Sequence, residues 1–408
     1  MHSYDLVVVG SGPAGRRAAI QAAKLNKKVL VVEKGTRVGG VSVHTGTIPS
    51  KTLRETALNL TGWRERGFYG RAYRVKQEIS AADLRRRLLI TLDHEVDVLE
   101  HQFSRNRVHQ MRGQARFVDA NTLEVTKDDG EVVKVDGQSV LLAVGTKPFR
   151  PAHIPFDGTS IVDSDEILEI DELPRSLIVI GAGVIGIEYA TIFSALDTAV
   201  TVVESRDTML DFIDKEIVDD FAYQLRDRNM KLIFGQAIES VEKEGERCQV
   251  TLENGRRLSA EMVLFAAGRM GATETLELKN CGLEADKRGR LSVDPLTFQT
   301  SVPNIYAAGD VVGFPSLAST SMERVPPRSG GSGDRTTKVL PLWHLRRAGD
   351  LHLRLYRGRG DRTQDPLRMR HCPFPRNLAR AHHGSRYRSS ETDLFAEDAP
   401  ASRRPYRR

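Results

Sequence analysis

Two glycine-rich turns hold the residues with the clearest capacity for chemistry. Each turn has the spacing G-x-G-x-x-G, follows a short apolar run and precedes a helix-like segment. A glutamate ends the next apolar run, 23 residues after the first glycine in both cases. The residues are Gly10, Gly12, Gly15 and Glu33 in the first set, and Gly181, Gly183, Gly186 and Glu204 in the second.

Each position in this pattern has a physical reason. The first glycine permits a tight turn, the second lets the backbone approach a pyrophosphate, and the third lets the helix pack on the strand. The following helix directs its positive dipole end at the phosphates, and the glutamate can accept hydrogen bonds from a ribose. The sequence therefore predicts two dinucleotide sites. The strands that must position them are Asp5–Val9, Val29–Val32, Leu177–Ile180 and Val200–Val203.

A third stretch, Gly39–Lys51, reads GGVSVHTGTIPSK. By itself it could be a degenerate loop with glycines and a proline. Read with the two glycine-rich turns, it resembles the redox motif of the flavin-dependent disulfide reductases, a family that includes glutathione reductase and dihydrolipoamide dehydrogenase. In that family two cysteines occupy the positions of Ser42 and Thr47. A hydroxyl forms no redox-active disulfide, because thiol–disulfide exchange needs a thiolate. The chain is therefore most similar to the thiol-free, soluble transhydrogenase branch of the superfamily.

The resemblance assigns cofactors and site residues. It places FAD at the first turn and NAD or NADP at the second, and it pairs Lys51 with Glu188 near the reactive nitrogen of the flavin as the two catalytic residues. Without the motif, Lys51 would be equally well read as a solvated helix lysine. Val140–Val144 with Gly145 and Ser301–Val311 with Asp310 resemble two further flavin signatures, and Phe265–Arg269 resembles the end of a nicotinamide domain. The remaining predicted cofactor contacts are Lys34, Gly39, Gly40, Ala115, Gly268, Arg269 and Gly309.

The second turn has a basic residue, Arg206, two positions after its glutamate, Glu204. Glu204 favours an unphosphorylated ribose, as in NAD, whereas Arg206 could receive the 2′-phosphate of NADP. An acid and a base side by side suit an enzyme that binds both nucleotides. The alternative for Arg206 is a solvated loop arginine.

The predicted fold is α/β, with two Rossmann-like dinucleotide-binding domains of the glutathione reductase type. The resemblance implies an FAD domain in two parts, 1–150 and 274–323, with an NAD(P) domain at 151–273 inserted between them. A long helix from Ile79 to about Arg105 and β-hairpins in 113–144, with turns at Asp129-Gly130 and Asp136-Gly137, complete the prediction.

Composition bounds the class of protein. The chain has 408 residues, of which 40% are hydrophobic and 28% charged, as in ordinary globular proteins. Its three scattered cysteines argue against a disulfide framework and against a zinc site, and no metal is predicted. The first strand pattern starts near the N-terminus and no apolar run reaches membrane-spanning length, so we expect no membrane partner and a cytoplasmic location.

The last 85 residues differ from the rest. Residues 324–408 contain 19 Arg, one Lys and eight Asp or Glu, a net charge of +12, whereas the first 323 residues sum to −6. This basic tail lacks strand or helix periodicity, and we expect it to be disordered. Nothing in it matches the interface domain through which the family dimerises, so we expect no dimer of the family type.

The tail has two competing interpretations. One permitted set of codons for Met369–Arg388, read one nucleotide later, encodes CGIARFRETSRGHIMGLDTG, which resembles the family's interface domain; a shift of reading frame is the first interpretation. An arginine-rich segment that binds RNA is the second, although few aromatic residues are interspersed, and we predict no specific nucleic-acid partner. The DNA sequence around codon 324 distinguishes them.

Three functions follow from the resemblance. The first is hydride transfer from NADPH to FAD and then to NAD, in alternating order at one site. The second is another thiol-free flavin oxidoreductase that passes electrons to a quinone or dye. The third is a non-catalytic product that binds FAD without turnover.

The hydroxyls at Ser42 and Thr47 generate a direct prediction. We expect no reduction of lipoamide or glutathione disulfide, because neither residue can exchange with a disulfide. The measurement is disulfide-dependent oxidation of NADH and NADPH, with dye reduction as the positive control for electron transfer. Disulfide reduction above the enzyme-free background would contradict the argument.

Overall fold

The computed structural model describes residues 2–70, 72–313 and 315–323. The expectations for residues 324–408, namely the disordered tail, the missing interface domain and the absent dimer, lie outside these residues. Within the described ranges no helix is long and apolar enough to cross a membrane.

The described chain forms eight α-helices and seventeen strands. The helices are α1 Pro13–Lys24, α2 Gly40–His44, α3 Thr47–Leu60, α4 Arg66–Tyr69, α5 Ala81–Arg105, α6 Val184–Ala195, α7 Lys215–Asp227 and α8 Ala318–Glu323. The first nine strands are β1 His2–Val9, β2 Val29–Glu33, β3 His109–Arg112, β4 Gln114–Phe117, β5 Thr122–Thr126, β6 Val132–Leu142, β7 Thr146–Pro148, β8 Ile161–Asp163 and β9 Ser176–Ile180. The others are β10 Ala199–Val203, β11 Lys231–Ile233, β12 Ile238–Glu244, β13 Arg247–Leu252, β14 Arg257–Ala260, β15 Met262–Phe265, β16 Arg269–Gly271 and β17 Ile305–Ala307.

The first sheet is built around β1. Strands β3, β2, β1 and β6 are parallel neighbours, and β17 joins β6 from the far end of the sequence. Strands β2 and β17 and the last four residues of β1 are apolar and mostly buried, as expected for a sheet with both faces covered, whereas the edge strand β3 is polar and mostly exposed. Because β17 follows the second sheet in sequence, the predicted discontinuous domain is confirmed in its topology.

Strand β6 belongs to two arrangements at once. Residues 135–142 of β6 pair parallel with β1, whereas residues 132–136 pair antiparallel with β5, which in turn pairs with β4. The predicted turn at Asp129-Gly130 lies between β5 and β6, but the turn predicted at Asp136-Gly137 is wrong, because both residues lie inside β6. A methyl group on Gly137 would come within 3.0 Å of the Val7 side chain, so this glycine serves close packing between strands.

The second sheet repeats the parallel plan in the order β11-β10-β9-β15-β8. A three-stranded antiparallel sheet, β12-β13-β14, packs beside it through a buried cluster that includes Val241, Val250 and Phe265. The chain enters this unit through β7 and leaves it through β16, and these two strands pair antiparallel with Thr146 opposite Gly271. The predicted fold class is confirmed. The exact domain bounds stay a prediction.

Helix α5 is the longest element among the described residues and confirms the predicted helix, although it starts two residues later than expected. Its apolar stripe is buried at Leu84, Leu88, Val96 and Leu99. It begins with a complete capping box: Ser80 Oγ accepts the Asp83 N–H, and the Asp83 carboxylate accepts the Ser80 N–H at 2.9 Å. These bonds satisfy donors that the first helical turn leaves open. At its other side, Arg85 donates to the carbonyl of Ile170 at 2.6 Å and so ties α5 to the segment before β9.

The capping box sets a local stability that can be measured. Replacing Ser80 with alanine removes the acceptor for the Asp83 N–H and should cost about 1 kcal/mol, which is about fivefold faster amide exchange in the first turn of α5. Ser80→Thr keeps the acceptor oxygen and is the matched control. Equal exchange in both variants would show that the cap contributes nothing.

Candidate dinucleotide sites

The first glycine-rich turn joins β1 to α1 in the predicted conformation. Gly10 has φ +102°, and a methyl group there would lie 2.4 Å from the Ala143 carbonyl oxygen at the end of β6. A methyl group on Gly15 would lie 1.9 Å from the Gly10 carbonyl oxygen, so α1 can approach β1 only if this residue is glycine. Protein packing therefore accounts for these two glycines.

Gly12 requires a different explanation. Its φ of −61° is accessible to any residue, and a methyl group there would meet no protein atom within 4 Å. Neither backbone conformation nor packing therefore demands glycine, and the open space lies at the start of α1. A pyrophosphate against this backbone would account for the glycine, so the first turn fits the FAD that the sequence predicts.

Glu33 ends β2 at this turn and holds it together. Its carboxylate accepts hydrogen bonds from the Ser11 N–H at 2.9 Å, the Ser11 hydroxyl at 2.5 Å and the Gly35 N–H at 2.8 Å. The fully buried Ser11 hydroxyl also accepts the Gly39 N–H at 2.8 Å. Sequence reasoning missed Ser11, because it occupies the unspecified position of G-x-G. The ribose contact of Glu33 stays a prediction.

The predicted flavin signatures meet at this edge of the first sheet. A methyl group on Gly40 would lie 2.8 Å from the Cα of Gly12, so the start of α2 passes directly over the turn. One on Gly309, after β17, would lie 3.3 Å from the Cβ of Ala14. Burial raises the pKa of the neighbouring Asp310 carboxyl, and the charge of Arg269 opposes that rise. The carboxyl ends of β1, β2, β6 and β17 therefore lie together at this edge, which is where ligands bind in open α/β sheets.

Helices α2 and α3 carry the residues of the altered redox motif. Ser42 lies on α2, and Thr47 is the first residue of α3 after Gly46. Lys51 stands one turn further along α3, and its ammonium forms a short ion pair with Glu188 of α6. The side chains of Lys51 and Glu188 are 49% and 19% exposed, so solvent reaches this contact between α3 and α6. The predicted pairing is confirmed as a contact, and its catalytic role stays a prediction.

The second glycine-rich turn reproduces the first. Gly181 has φ +106°, and a methyl group on Gly186 would lie 1.9 Å from the Gly181 carbonyl oxygen. Gly183 has φ −75° and open space at its Cα, as Gly12 does. The residue after the first glycine again donates to the strand-end acid, with the Ala182 N–H 2.7 Å from Glu204. The second turn therefore fits a second dinucleotide by the same test.

Glu204 and Arg206 face each other. Glu204 is 6% exposed, and its two oxygens accept hydrogen bonds from Arg206 Nε at 3.0 Å and Nη2 at 2.9 Å. Burial alone would raise the pKa of Glu204, but the bonds from Arg206 and the Ala182 N–H outweigh it and lower the pKa to about 2. The hydrogen bond to Glu204 raises the pKa of Arg206 above its usual value. The predicted acid and base therefore neutralise each other.

Gly268 and Arg269 lie where the chain leaves the second sheet. Gly268 has φ +132° and, like Gly145 with φ +66°, has open space at its Cα. Arg269 donates to the Thr146 carbonyl at 3.0 Å, the Ser164 hydroxyl at 3.2 Å and Asp165 at 2.9 Å. Sequence reasoning did not connect Arg269 with these three partners, which lie on the segment that enters the second sheet; Thr146 was known only as the end of the second flavin signature.

The two remaining predicted cofactor contacts are Lys34 and Ala115. Lys34 is exposed in the turn after β2. Ala115 is buried on β4 opposite Val125 and belongs to a hydrophobic cluster. Their predicted cofactor contacts stay predictions. In the described part of the chain, no three His, Cys, Asp or Glu side chains are arranged to hold a metal ion.

The fold and these two turns define a class: an α/β oxidoreductase that holds two dinucleotides in one chain, with the nicotinamide unit inserted into the flavin unit. Comparison with known proteins agrees. The family model for pyridine nucleotide-disulphide oxidoreductases matches residues 4–325. The chain belongs to this family.

Individual relatives narrow the comparison. The chain is 50% identical over 325 residues to a soluble pyridine nucleotide transhydrogenase of Mycobacterium tuberculosis, a match that covers 79% of this chain and 69% of the relative. A protein of the same name from Chromohalobacter salexigens is 42% identical over 324 residues, with coverage of 79% and 70%. Among solved structures, LpdA of M. tuberculosis superposes with a TM-score of 0.72 at 27% identity, covering 79% of this chain and 70% of LpdA. The HOCl-induced flavoprotein disulfide reductase RclA of Escherichia coli, solved as a Cu(II) complex, gives 0.70 at 27% identity, covering 79% and 69%.

The contrast between the glycines of each turn gives a paired prediction. Gly12→Ala should change the free energy of unfolding of the FAD-free chain by no more than about 0.5 kcal/mol, because its methyl group meets no protein atom. The same methyl group would occupy the space left for the pyrophosphate, so FAD binding should weaken by about tenfold or more. Gly15→Ala should lower the melting temperature of the FAD-free chain, because its methyl group meets a backbone oxygen.

The measurements are thermal melting without FAD and FAD titration by calorimetry. Gly183→Ala and Gly186→Ala repeat the pair at the second turn, with a nicotinamide nucleotide as the ligand. A large loss of stability in Gly12→Ala, with unchanged FAD affinity, would show that the open space at Gly12 is not a pyrophosphate site.

Proposed function

We propose that this chain transfers hydride from NADPH to NAD, with FAD as the intermediate carrier. The observation that carries the proposal is that two complete dinucleotide turns coexist with hydroxyls at Ser42 and Thr47, where a disulfide reductase of the family needs thiols. The relatives named soluble pyridine nucleotide transhydrogenase, up to 50% identical, support it. The reaction balances without other reactants: NADPH loses a hydride, NAD gains it, and no proton has to be moved.

The residues of the first turn would hold FAD. The backbone of Gly10–Gly15 and the N-terminus of α1 would face its pyrophosphate, and Glu33 would accept from a ribose. Asp310, at the end of β17, would hydrogen-bond its ribityl chain. When bound, FAD supplies the group that accepts a hydride from one nucleotide and donates it to another.

Lys51 supplies positive charge to this site. The carboxylate of Glu188 holds the ammonium across the gap between α3 and α6, which fixes a long and otherwise flexible side chain. A fixed positive charge favours negative charge that develops nearby during hydride uptake, and it needs no reorganisation at the moment of transfer. The two residues therefore position charge and do not act as a nucleophile or a proton relay.

The second turn would receive both nicotinamide nucleotides in turn. Glu204 supplies an acceptor for a free ribose and Arg206 a donor group for a 2′-phosphate, both within one loop. A single site that binds NADPH, releases NADP and then binds NAD requires an alternating order of substrates. The cytoplasmic location expected from the sequence stays part of this proposal.

The test uses the full chain loaded with FAD. NADPH and a spectrally distinct NAD analogue are mixed, and reduction of the analogue is followed directly. Reduction that depends on both the chain and NADPH supports the proposal. Oxidation of NADPH by a quinone or dye without reduction of the analogue would replace it with a diaphorase function, and binding of FAD with neither reaction would leave a non-catalytic flavoprotein.

Replacing Lys51 tests the charge directly. Lys51→Met should lower the rate of flavin reduction by NADPH by roughly tenfold, because half-exposed charges are partly screened and the full effect of a buried donor is not expected. Lys51→Arg keeps the charge and should retain most of the rate. Rapid-mixing absorbance of the flavin gives the rate separately from nucleotide binding. Equal rates in Lys51→Met and the unaltered chain would remove Lys51 from the mechanism.

A further inference from the structure

Arg206 is shared between two acids. Besides its two bonds to Glu204, its Nη1 forms an ion pair with Asp211 at 2.9 Å. Glu204 is almost fully buried, whereas Arg206 is 44% exposed and Asp211 is 54% exposed. The guanidinium therefore lies between an inner carboxylate beside the glycine-rich turn and an outer carboxylate at the surface.

The fold sets the position of Asp211. The preceding residue, Leu210, has φ +48°, an unusual conformation for a leucine, and its N–H donates to the Ala182 carbonyl at 3.2 Å. Met209 and Leu210 are both buried. The loop after β10 is thus fastened to the second glycine-rich turn itself, and Asp211 is the first residue beyond that attachment. Its contact with Arg206 is part of the architecture of the second turn.

We propose that Asp211 is a specificity-determining residue that weakens binding of NADP(H) at the second turn relative to NAD(H). The inference rests on the proposed function, because it assumes that this turn binds nicotinamide dinucleotides. A 2′-phosphate on Arg206 would compete with Asp211 for the guanidinium and would bring negative charge close to that carboxylate. A free ribose hydroxyl is neutral and needs only an acceptor, which Glu204 provides.

The two acids therefore differ in what they control. Loss of Glu204 would remove a partner of the Ala182 N–H and would disturb both nucleotides. Loss of the Asp211 charge would leave the turn intact. It would remove only the ion pair at Arg206 Nη1 and would keep the two bonds from Arg206 to Glu204. Because both members of the outer pair are partly exposed, the expected change in NADP affinity is about 1.5- to 5-fold.

The experiment compares two matched variants, Asp211→Asn and Asp207→Asn. Asp207 is exposed in the same loop and forms no ion pair within the described residues, so its replacement removes the same charge without touching Arg206. Calorimetric titrations of the FAD-loaded full chain at low ionic strength give Kd values for NADP and NAD. Adenosine 2′,5′-bisphosphate and AMP are titrated in the same way. Because both lack the nicotinamide half, a difference between them shows that the effect arises at the adenosine half of the nucleotide.

The expected result is tighter NADP and bisphosphate binding in Asp211→Asn only, with NAD and AMP unchanged, and an effect that shrinks as salt is added. Asp211→Glu, which keeps the charge, should behave like the unaltered chain. Equal changes in Asp211→Asn and Asp207→Asn would show a general charge effect and overturn the inference. Unchanged NADP affinity in Asp211→Asn would overturn it while leaving the proposed function intact, whereas failure of the unaltered chain to bind either nucleotide would overturn both.

Discussion

The close approach of a helix to the strand before it is the constraint on which both dinucleotide sites depend. At Gly15 and Gly186 the position of a side chain is occupied by a carbonyl oxygen 1.9 Å away. Because Gly15 and Gly186 have no side chain, each helix can lie directly against the turn that precedes it. The first N–H groups of α1 and α6 therefore lie at the carboxyl edge of each sheet. Beside these close contacts, Gly12 and Gly183 have open space at the Cα, and the strand-end glutamates accept hydrogen bonds from the N–H groups of Ser11 and Ala182.

The two turns share this backbone conformation but differ in the hydrogen bonds that connect each of them to a neighbouring loop. In the first, the Ser11 hydroxyl connects Glu33 to the Gly39 loop, so the motif that carries Ser42 is attached to the first glycine-rich turn. In the second, Ala182 has no hydroxyl, and its carbonyl accepts instead from Leu210. The first turn is thereby joined to the segment that carries the altered redox motif, and the second to the loop that carries Asp211.

The parts of the fold with local physical causes could be predicted from the sequence. Helix α5 has both a cap and an apolar stripe, and the strands before Gly10 and Gly181 are continuous apolar runs. The turn predicted at Asp136-Gly137 is wrong because Asp-Gly usually marks a turn, whereas here Gly137 lies within a strand in close contact with the Val7 side chain. The partners of Arg206 and Arg269 could not be predicted, since Asp211 depends on the left-handed Leu210 and Asp165 comes from a distant segment. Such contacts exist only after the sheets assemble.

The antiparallel pairing of β7 with β16 has an evolutionary consequence. It places the two ends of the nicotinamide unit side by side, with Thr146 opposite Gly271, while β6 and β17 continue the host sheet as neighbours. A segment whose ends are adjacent can enter or leave a gene in one piece without separating the strands of its host. The repeated backbone plan of the two turns is what duplication of one ancestral nucleotide-binding unit, followed by insertion of one copy into the other, would produce.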